Sequence, residues 1–381
     1  MARPAQLQQD RGNARLKFLD RYAGIPVIAA LGAFRRLRGR REVPKRWHTI
    51  GLVKTVGIGD TVLLSGVIRD VRTARPDARI VLFASANNAG FAGLLDGVDE
   101  LVTLPVRDVA GAIRMVRAAH CDVVVDFGAW PRLEALLTVC SGARATVGMR
   151  TRGQHRDAAY DVVVEHGADH EVENYRRLVR TLGIESLSAP SLSVGKPDAR
   201  PLAAPYVVLH LWPGGANFAE RSWPVDRWRA VAGAMSERGF DVVLTGGPGD
   251  VATTRGLVRG WSSAGVRIHS ASGTTPAETV RWLGHATGVI SVNTGVMHLA
   301  AAVGAPVVAL NGPSSARRWG PLGEQTRCVA SRMVPDGYLD LGWERNDRYR
   351  HCMEAITVDA VLEAWDSLMA EVGAAPGAVG G

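Results

Sequence analysis

Short runs of β-branched and other apolar residues recur along the whole chain, and segments with helical periodicity separate them. Strands that are covered on both faces of a parallel sheet have this nearly uninterrupted apolar character. Their regular alternation with helices predicts a doubly wound α/β architecture. We therefore predict buried strands at residues 49–54, 78–85, 100–105, 121–127 and 161–165, and again at 206–211, 241–247, 267–271, 289–292 and 306–312.

A stretch rich in Ser, Pro and Ala interrupts this alternation near the middle of the chain. Such a composition is typical of a linker. The sequence thus predicts two Rossmann-like domains that face each other across a cleft, with ligands at the carboxyl ends of the strands. The predicted order is an N-terminal arm, a first α/β domain, the linker, a second α/β domain, and a C-terminal helix with its tail, at residues 1–46, 47–184, 185–205, 206–355 and 356–381.

The N-terminal arm carries the excess positive charge of the protein. Residues 1–46 contain 12 Lys and Arg against 3 Asp and Glu, whereas the remainder contains 33 against 34. Within the arm, an apolar run at residues 24–34 precedes a cluster of basic residues. Two interpretations stay open for residues 16–46: a helix packed on the body of the protein, or peripheral contact with an anionic membrane surface. A basic arm without a basic folded face argues against nucleic-acid binding.

The rest of the composition indicates an ordinary cytoplasmic protein. No apolar run reaches the roughly 18 residues of a membrane-spanning helix, and no signal peptide is evident. Metal-binding patterns such as DxD, HExxH or paired histidines are missing from the sequence, so we expect neither a metal nor a cofactor. We expect reduced thiols at the four cysteines, which have no metal-ligand spacing: Cys121, Cys140, Cys328 and Cys352.

The first predicted strand ends in KTVGIGD, residues 54–60, which opens a helix. Gly57 and Gly59 allow a tight turn and close approach of the backbone. The segment lacks the GK[ST] of a P-loop and the third glycine of a dinucleotide fingerprint, which disfavours an NAD-dependent dehydrogenase. Its distinctive residue is Asp60, for which two interpretations stay open: a helix N-cap, or a carboxylate that faces the cleft.

In the second half, the turn Pro213-Gly214-Gly215 precedes Arg221. Backbone N–H groups in such a turn bind phosphate, and a guanidinium beside them suits a diphosphate. The next strand ends in LTGGPGD, where Gly247 and Asp250 belong either to a ligand-facing loop or to a tight strand-to-helix turn.

The segment SVNTGVMH, residues 291–298, carries the strongest ligand signal. The strand ends at Asn293, and Thr294 and Gly295 lead into a helix. The N–H groups and the macrodipole at a helix N-terminus bind phosphate, and Thr294 adds a hydroxyl donor. Because His298 lies in the first turn, we expect it to contact the same ligand.

Several segments occur in one order along residues 49–370: KTVGIGDTVLLSGVIRDVRTARPDARIVLF, HEVENYRRLVRTLG, PGG, RSWPVDRW, LTGGPGD, NTGVMHLAAAVGAPVVALNGPSSARRWGPLG and CMEAITVDAVLEA. In this order they resemble glycosyltransferase family 9, the heptosyltransferase family. The segment LDRYAGIP is similar to an extension in some of its members.

The resemblance implies a GT-B fold, with the acceptor site in the first domain and the nucleotide-sugar site in the second. It implies a metal-independent, inverting transfer of heptose from ADP-heptose to a hydroxyl of a glycan, glycolipid or small molecule. Asp60 would be the general base, with Lys54, Gly57 and Gly59 on the acceptor side. Electrostatic stabilisation of the leaving diphosphate is then expected from the donor-binding set, which is Gly214, Gly215, Arg221, Gly247, Asp250, Asn293, Thr294, Gly295 and His298.

The sequence departs from the family pattern at two places. Family members commonly have an acidic residue where Asn293 stands, and the loop from Pro213 to Arg221 is longer than in the best-known members. Asn293 keeps open the alternative of a noncatalytic protein of the same fold that binds a sugar nucleotide. A nucleotide-sugar epimerase on the same two-domain architecture is a second alternative.

Overall fold

The computed structural model of the chain describes residues 18, 20–193, 200–215, 217–341 and 344–374. These residues form two compact units, which divide between Pro190 and Ser191. Residues 1–17 of the predicted arm, 194–199 of the predicted linker and 375–381 of the predicted tail lie outside the described residues.

The first unit is built on a parallel six-stranded sheet with the strand order β3-β2-β1-β4-β5-β6. The apolar side chains of its central strands are fully buried, because helices cover both faces of the sheet. Its elements are α1 (Gly24–Arg38), β1 (Thr49–Val53), α2 (Ile58–Ala74), β2 (Arg79–Ser85), α3 (Ala89–Ala92), β3 (Glu100–Leu104), α4 (Val109–Ala118), β4 (Val123–Asp126), α5 (Arg132–Val139), β5 (Ala145–Arg150), β6 (Val162–Glu165) and α6 (Glu171–Arg180).

The second unit repeats this plan with the strand order β12-β11-β10-β7-β8-β9, again parallel throughout. Its core includes Trp228 and Trp365, both almost fully buried. Its elements are β7 (Tyr206–His210), α7 (Phe218–Arg221), α8 (Val225–Glu237), β8 (Asp241–Gly246), α9 (Val251–Ser262), β9 (Ile268–Ser272), α10 (Pro276–Gly284), β10 (Gly288–Val292), α11 (Gly295–Ala302), β11 (Val307–Asn311), α12 (Ala316–Trp319), β12 (Thr326–Ala330) and α13 (Val358–Ala374).

The strand order of each sheet reverses at one point, between β1 and β4 in the first and between β7 and β10 in the second. Loops after these adjacent strands diverge to opposite faces of the sheet and leave a crevice at its carboxyl edge. The fold thus places the segments after β1, β4, β7 and β10 at the sheet edges where ligands are expected.

All ten predicted strands are present, each within two residues of its predicted bounds. The strands β5 and β12 were not predicted. Gly148 and Thr146 interrupt the apolar run of β5, and β12 lies at a sheet edge where most of its side chains stay partly exposed. Neither strand therefore has the continuous apolar pattern that marked the others.

The helix α1 packs on the first unit, as the packed-helix interpretation predicted for this part of the arm, and this packing leaves membrane contact by its other side untested. Ile28 is fully buried beside Ala135, Ala159 and Tyr160. The opposite face of α1 is exposed. In the part of the chain that the structure describes, no helix combines the length and the apolar character needed to cross a membrane.

Candidate active site

Asp60 lies beyond the carboxyl end of β1, at the switch point of the first sheet. The chain turns at Gly57 and enters α2 at Ile58. Gly57 has a φ of +83°, and a side chain there would collide with the Asp60 carboxylate, so the turn requires glycine. The buried Gly59 follows within the first turn of the helix. The strand and this turn bring Asp60 to the edge of the sheet where a ligand is expected.

Asp60 is not the N-cap of α2, so that interpretation is wrong. The N-cap is Gly57, and Asp60 is the third helical residue. The hydroxyl of Tyr175, from α6, donates a hydrogen bond of 3.2 Å to Oδ1 of Asp60. The Nζ of Lys54 lies 3.7 Å from the same oxygen. The side chain of Asp60 is 25% exposed, so the carboxylate is held by two partners while part of the side chain remains accessible.

Tyr175 and Lys54 keep their protons at neutral pH. Burial, followed by the neighbouring Asp60 charge, raises the pKa of Tyr175 well above its ordinary value. Burial disfavours the charged form of Lys54, but the charges of Asp60 and Glu134 outweigh that effect and raise the pKa of the lysine. Because Lys54 is only 3% exposed, it acts on the candidate site through its contact with Asp60 and has little direct contact with solvent.

Further buried charges lie behind Lys54, and the sequence analysis did not identify them. Glu134 accepts hydrogen bonds from the backbone N–H and the hydroxyl of Thr55, and burial raises its pKa to about 7. Asp126, the last residue of β4, accepts hydrogen bonds from Arg156 and Tyr160. The sequence feature that could have indicated a buried acid at Glu134 is its position within the apolar run LEALL.

In the second unit, Arg221 connects two loops that lie at the switch point. Its Nη1 donates a hydrogen bond of 2.6 Å to the carbonyl of Gly214, in the loop after β7. Its Nη2 donates a hydrogen bond of 2.7 Å to the carbonyl of Asn293, directly after β10. The structure therefore brings together the Pro-Gly-Gly turn, Arg221 and the Asn-Thr-Gly segment.

The Arg221 guanidinium is a partly buried cation with spare hydrogen-bonding capacity. No carboxylate of the described residues forms an ion pair with it, and its buried Nε lacks a hydrogen-bond partner among those residues. Burial lowers its pKa to about 10, so it stays charged at neutral pH. A buried charge without a counterion is unfavourable, and an anionic ligand would relieve this cost.

The amino terminus of α11 lies next to the same loop. Thr294 is the N-cap, and its hydroxyl makes no capping hydrogen bond. Its Oγ1 lies 3.7 Å from the place that a Cβ on Gly214 would occupy. Gly295 opens the helix, and the buried His298 lies in its first turn. Together with Arg221, the free helix N–H groups provide positive potential for a phosphate.

Three predicted donor-binding residues make contacts that stabilise their own loops. The Nδ2 of Asn293 donates a hydrogen bond of 2.6 Å to the carbonyl of Trp319. The Oδ2 of Asp250 accepts a hydrogen bond of 2.8 Å from the N–H of Gly247. These contacts favour the tight-turn interpretation of the LTGGPGD loop. Within the described ranges, no three His, Cys, Asp or Glu side chains converge as metal ligands would.

Comparison with known proteins identifies the family. The model of glycosyltransferase family 9 (heptosyltransferase) matches residues 113–336, which is more than half of the chain. Lipopolysaccharide heptosyltransferase 3 of Escherichia coli K12 is 26% identical over 340 residues, which cover 82% of this chain and 96% of that protein.

Two solved structures share the fold. A family 9 glycosyltransferase from Veillonella parvula superposes with a TM-score of 0.71 at 17% identity, covering 87% of this chain and 99% of that one. The E. coli heptosyltransferase WaaC with ADP-2-deoxy-2-fluoro heptose superposes with a TM-score of 0.65 at 19% identity, covering 84% and 99%. The chain therefore has the GT-B fold, and it belongs to glycosyltransferase family 9, the heptosyltransferase family.

Proposed function

We propose that the protein transfers heptose from ADP-heptose to a hydroxyl of an acceptor glycan, glycolipid or small molecule. In this proposal the first unit binds the acceptor, and the second unit binds the nucleotide sugar. The donor is suggested by the complex of the related WaaC with an ADP-heptose analogue. The free cysteines suit a reducing compartment, and we place the reaction in the cytoplasm.

The observation that carries the proposal is the fixed carboxylate of Asp60. An alcohol is a weak nucleophile until a base accepts its proton in the transition state. Tyr175 and Lys54 both approach Oδ1 of Asp60, which leaves the rest of the carboxylate able to accept that proton. Such fixed orientation is what general-base catalysis requires.

The proposed transfer is a single displacement at the anomeric carbon of the donor. The acceptor oxygen bonds to the anomeric carbon while its proton passes to Asp60. The bond from that carbon to the β-phosphate oxygen breaks on the opposite face, which inverts the configuration. ADP leaves with the electron pair, and Arg221 together with the N-terminus of α11 stabilises its charge, so the proposal needs no metal ion.

The variant Asp60→Asn tests the base directly. It keeps the shape of the side chain but removes the basic oxygen, so we expect transfer to fall at least about 1,000-fold, since general-base catalysis contributes up to roughly 10,000-fold. ADP-heptose affinity, measured by calorimetry, should stay within about twofold because Asp60 lies in the other unit. Transfer at the wild-type rate would reject Asp60 as the base.

The matched control is Asp70→Asn, in the same helix α2. Asp70 accepts hydrogen bonds from the hydroxyls of Ser186 and Ser188, so this variant perturbs the helix without touching the base. We expect a loss of stability with transfer preserved.

A thermal-shift screen identifies the donor. A ligand at 100 times its dissociation constant adds about 2.7 kcal/mol to the free energy of unfolding. We expect a selective shift with ADP-heptose among ADP-, UDP-, GDP- and dTDP-sugars and NAD. A selective shift with another nucleotide sugar would contradict the proposed donor. Donor binding without transfer to any acceptor would favour the noncatalytic alternative, and conversion of the sugar nucleotide without an acceptor would favour an epimerase.

A further inference from the structure

The helix α1 is mounted firmly on the first unit along one side. Near its amino end, the Asp20 carboxylate pairs with Arg132 and accepts a hydrogen bond of 2.9 Å from the N–H of Leu133. Near its carboxyl end, the buried carboxylate of Asp161 accepts a hydrogen bond of 2.6 Å from Arg35. Between these ion pairs, Ile28 is fully buried. The helix is therefore fixed in orientation, and one side of it faces away from the protein.

That outward side is apolar, which is unusual for a helix that faces water. No charged residue occurs between Tyr22 and Phe34 in the sequence. The outward residues include Tyr22 at 63% exposure, Val27 at 44%, Phe34 at 52% and Leu37 at 86%, with alanines between them. We call this surface the α1 face.

Exposed hydrophobic side chains are concentrated on this part of the chain. Among the described residues, nine large hydrophobic side chains are exposed, and five of them lie within Phe18–Leu37. The other four are scattered over the two units at Val109, Met115, Leu187 and Met333. Scattered apolar residues are ordinary on a protein surface, whereas a contiguous patch marks an interaction site.

Positive charge borders the α1 face. Arg21 and Arg36 are exposed at its two ends, and Arg40, Lys45 and Arg46 are exposed in the segment that follows. The acid Asp20 does not offset this charge at the surface, because its carboxylate is turned inward to Arg132. An apolar strip bordered by arginines and lysines matches the apolar interior and anionic headgroups of a membrane leaflet.

We propose that the α1 face docks the protein on an anionic lipid bilayer, with α1 lying in the plane of the interface. A 15-residue helix is about 22 Å long, which is suited to lying along the headgroup region. Tyr22, Val27 and Leu37 enter the acyl boundary, and the basic residues contact lipid phosphates. Because ion pairs already fix α1 on the first unit, docking requires no folding of this helix.

Vesicle sedimentation tests the proposal without an activity assay. We expect the wild-type protein to pellet at low salt with phosphatidylcholine vesicles that contain phosphatidylglycerol. Pelleting should be weaker with phosphatidylcholine alone. The variant Tyr22→Ser/Val27→Ser/Leu37→Ser should lower partitioning at least about 100-fold, since each buried methylene contributes to binding. The variant Arg36→Gln/Arg40→Gln should lower it about 30-fold, and high salt should have the same effect.

The matched control removes similar exposed side chains elsewhere, with Val109→Ser/Leu187→Ser/Met333→Ser. It should pellet like the wild type, and all variants should keep the wild-type melting temperature because the changed side chains are exposed. Equal pelleting of the α1-face variant and the wild type would overturn the proposal. Wild-type protein that does not pellet, but dimerises in lipid-free sedimentation through residues removed in the α1-face variant, would show an interface between copies and would also overturn it.

Discussion

Replacing Arg221 by methionine should weaken ligand binding without lowering the stability of the unliganded protein. Arg221 is a partly buried cation, and among the described residues it binds only two backbone carbonyls. Its pKa of about 10, against an ordinary value of 12.5, corresponds to roughly 3 kcal/mol of unfavourable free energy in its charged form. The two hydrogen bonds to the carbonyls stabilise the folded protein by about 1 kcal/mol each and offset part of this cost. The unliganded Arg221→Met protein should therefore be as stable as the wild type, or up to about 1 kcal/mol more stable.

The effect of ADP should be large in the wild type and small in the variant. A guanidinium contact with a diphosphate is a charge-assisted hydrogen bond, and its loss costs about 3 kcal/mol, or roughly 100-fold in affinity. At 100 times the wild-type dissociation constant, ADP then stabilises the wild type by about 2.7 kcal/mol and the variant by about 0.4 kcal/mol. Urea denaturation with and without ADP measures both numbers.

Arg227→Met is the control for this experiment. Arg227, in α8, also donates to two backbone carbonyls of the second unit, those of Glu354 and Ile356, and neither belongs to the loops that Arg221 connects. This variant should respond to ADP as the wild type does. The reasoning would be refuted if Arg221→Met lost more than about 2 kcal/mol of stability while its response to ADP stayed intact. Arg221 would then only hold the two loops together.

Three further predictions address the neighbours of the site and the arm. Tyr175→Phe should lower kcat about tenfold with unchanged donor affinity, because the proposed base Asp60 loses a hydrogen bond that orients it. The control Tyr160→Phe also removes a hydroxyl bound to a carboxylate and should leave donor affinity and kcat near wild type. Equal losses of kcat in the two variants would contradict this role of Tyr175. Asn293→Asp should cost about 2 kcal/mol in chemical denaturation, since a carboxylate would replace the donor to a backbone carbonyl, and unchanged stability would reject that contact as important. Asp161→Asn should cost about 3 kcal/mol by breaking its ion pair with Arg35.

The Asp161 variant also carries a pH signature. Burial alone would raise the pKa of Asp161, but hydrogen bonds from Arg41 and Thr146 and the charge of Arg35 outweigh burial and lower it. A carboxylate with a lowered folded-state pKa stabilises the protein above its ordinary pKa near 4, and this contribution is lost as the pH falls through the lowered value. Stability should thus decrease less steeply below about pH 4 in Asp161→Asn than in the wild type. Parallel curves would contradict the assignment.

The sequence predicted the strands well where burial on both faces enforced a continuous apolar run. It missed β5, where the ring of Tyr160 occupies the space that a side chain at Gly148 would need, so the apolar run is interrupted. It also missed the edge strand β12. The positions of Asp60 and Thr294 were predictable because turns and helix starts follow strands at short, regular distances. The short distance from each strand therefore places both residues at the carboxyl edge of their sheet, and this placement does not depend on how the side chains of the core pack.

The partners of Asp60 were not predictable in the same way. Tyr175 lies more than 100 positions away, and in the sequence it is one buried residue in the apolar stripe of an amphipathic helix. Nothing local distinguishes a core tyrosine from one whose hydroxyl meets a carboxylate. In the sequence, Asp60 fits an N-cap motif. In the structure the N-cap is Gly57, with a positive φ, so the helix begins earlier and the Asp60 carboxylate does not cap it.

Because α1 packs on the core of the first unit, the arm should not be lost in evolution without changes in the residues beneath it. Its underside completes the packing of Ala135, Ala159 and Tyr160, so a chain that lost the helix would expose these residues to water. Deleting the arm would therefore damage the first unit as well as any docking surface. Across related genomes we expect the helix and apolar residues at these three positions to be gained and lost together, with polar residues there wherever the helix is missing.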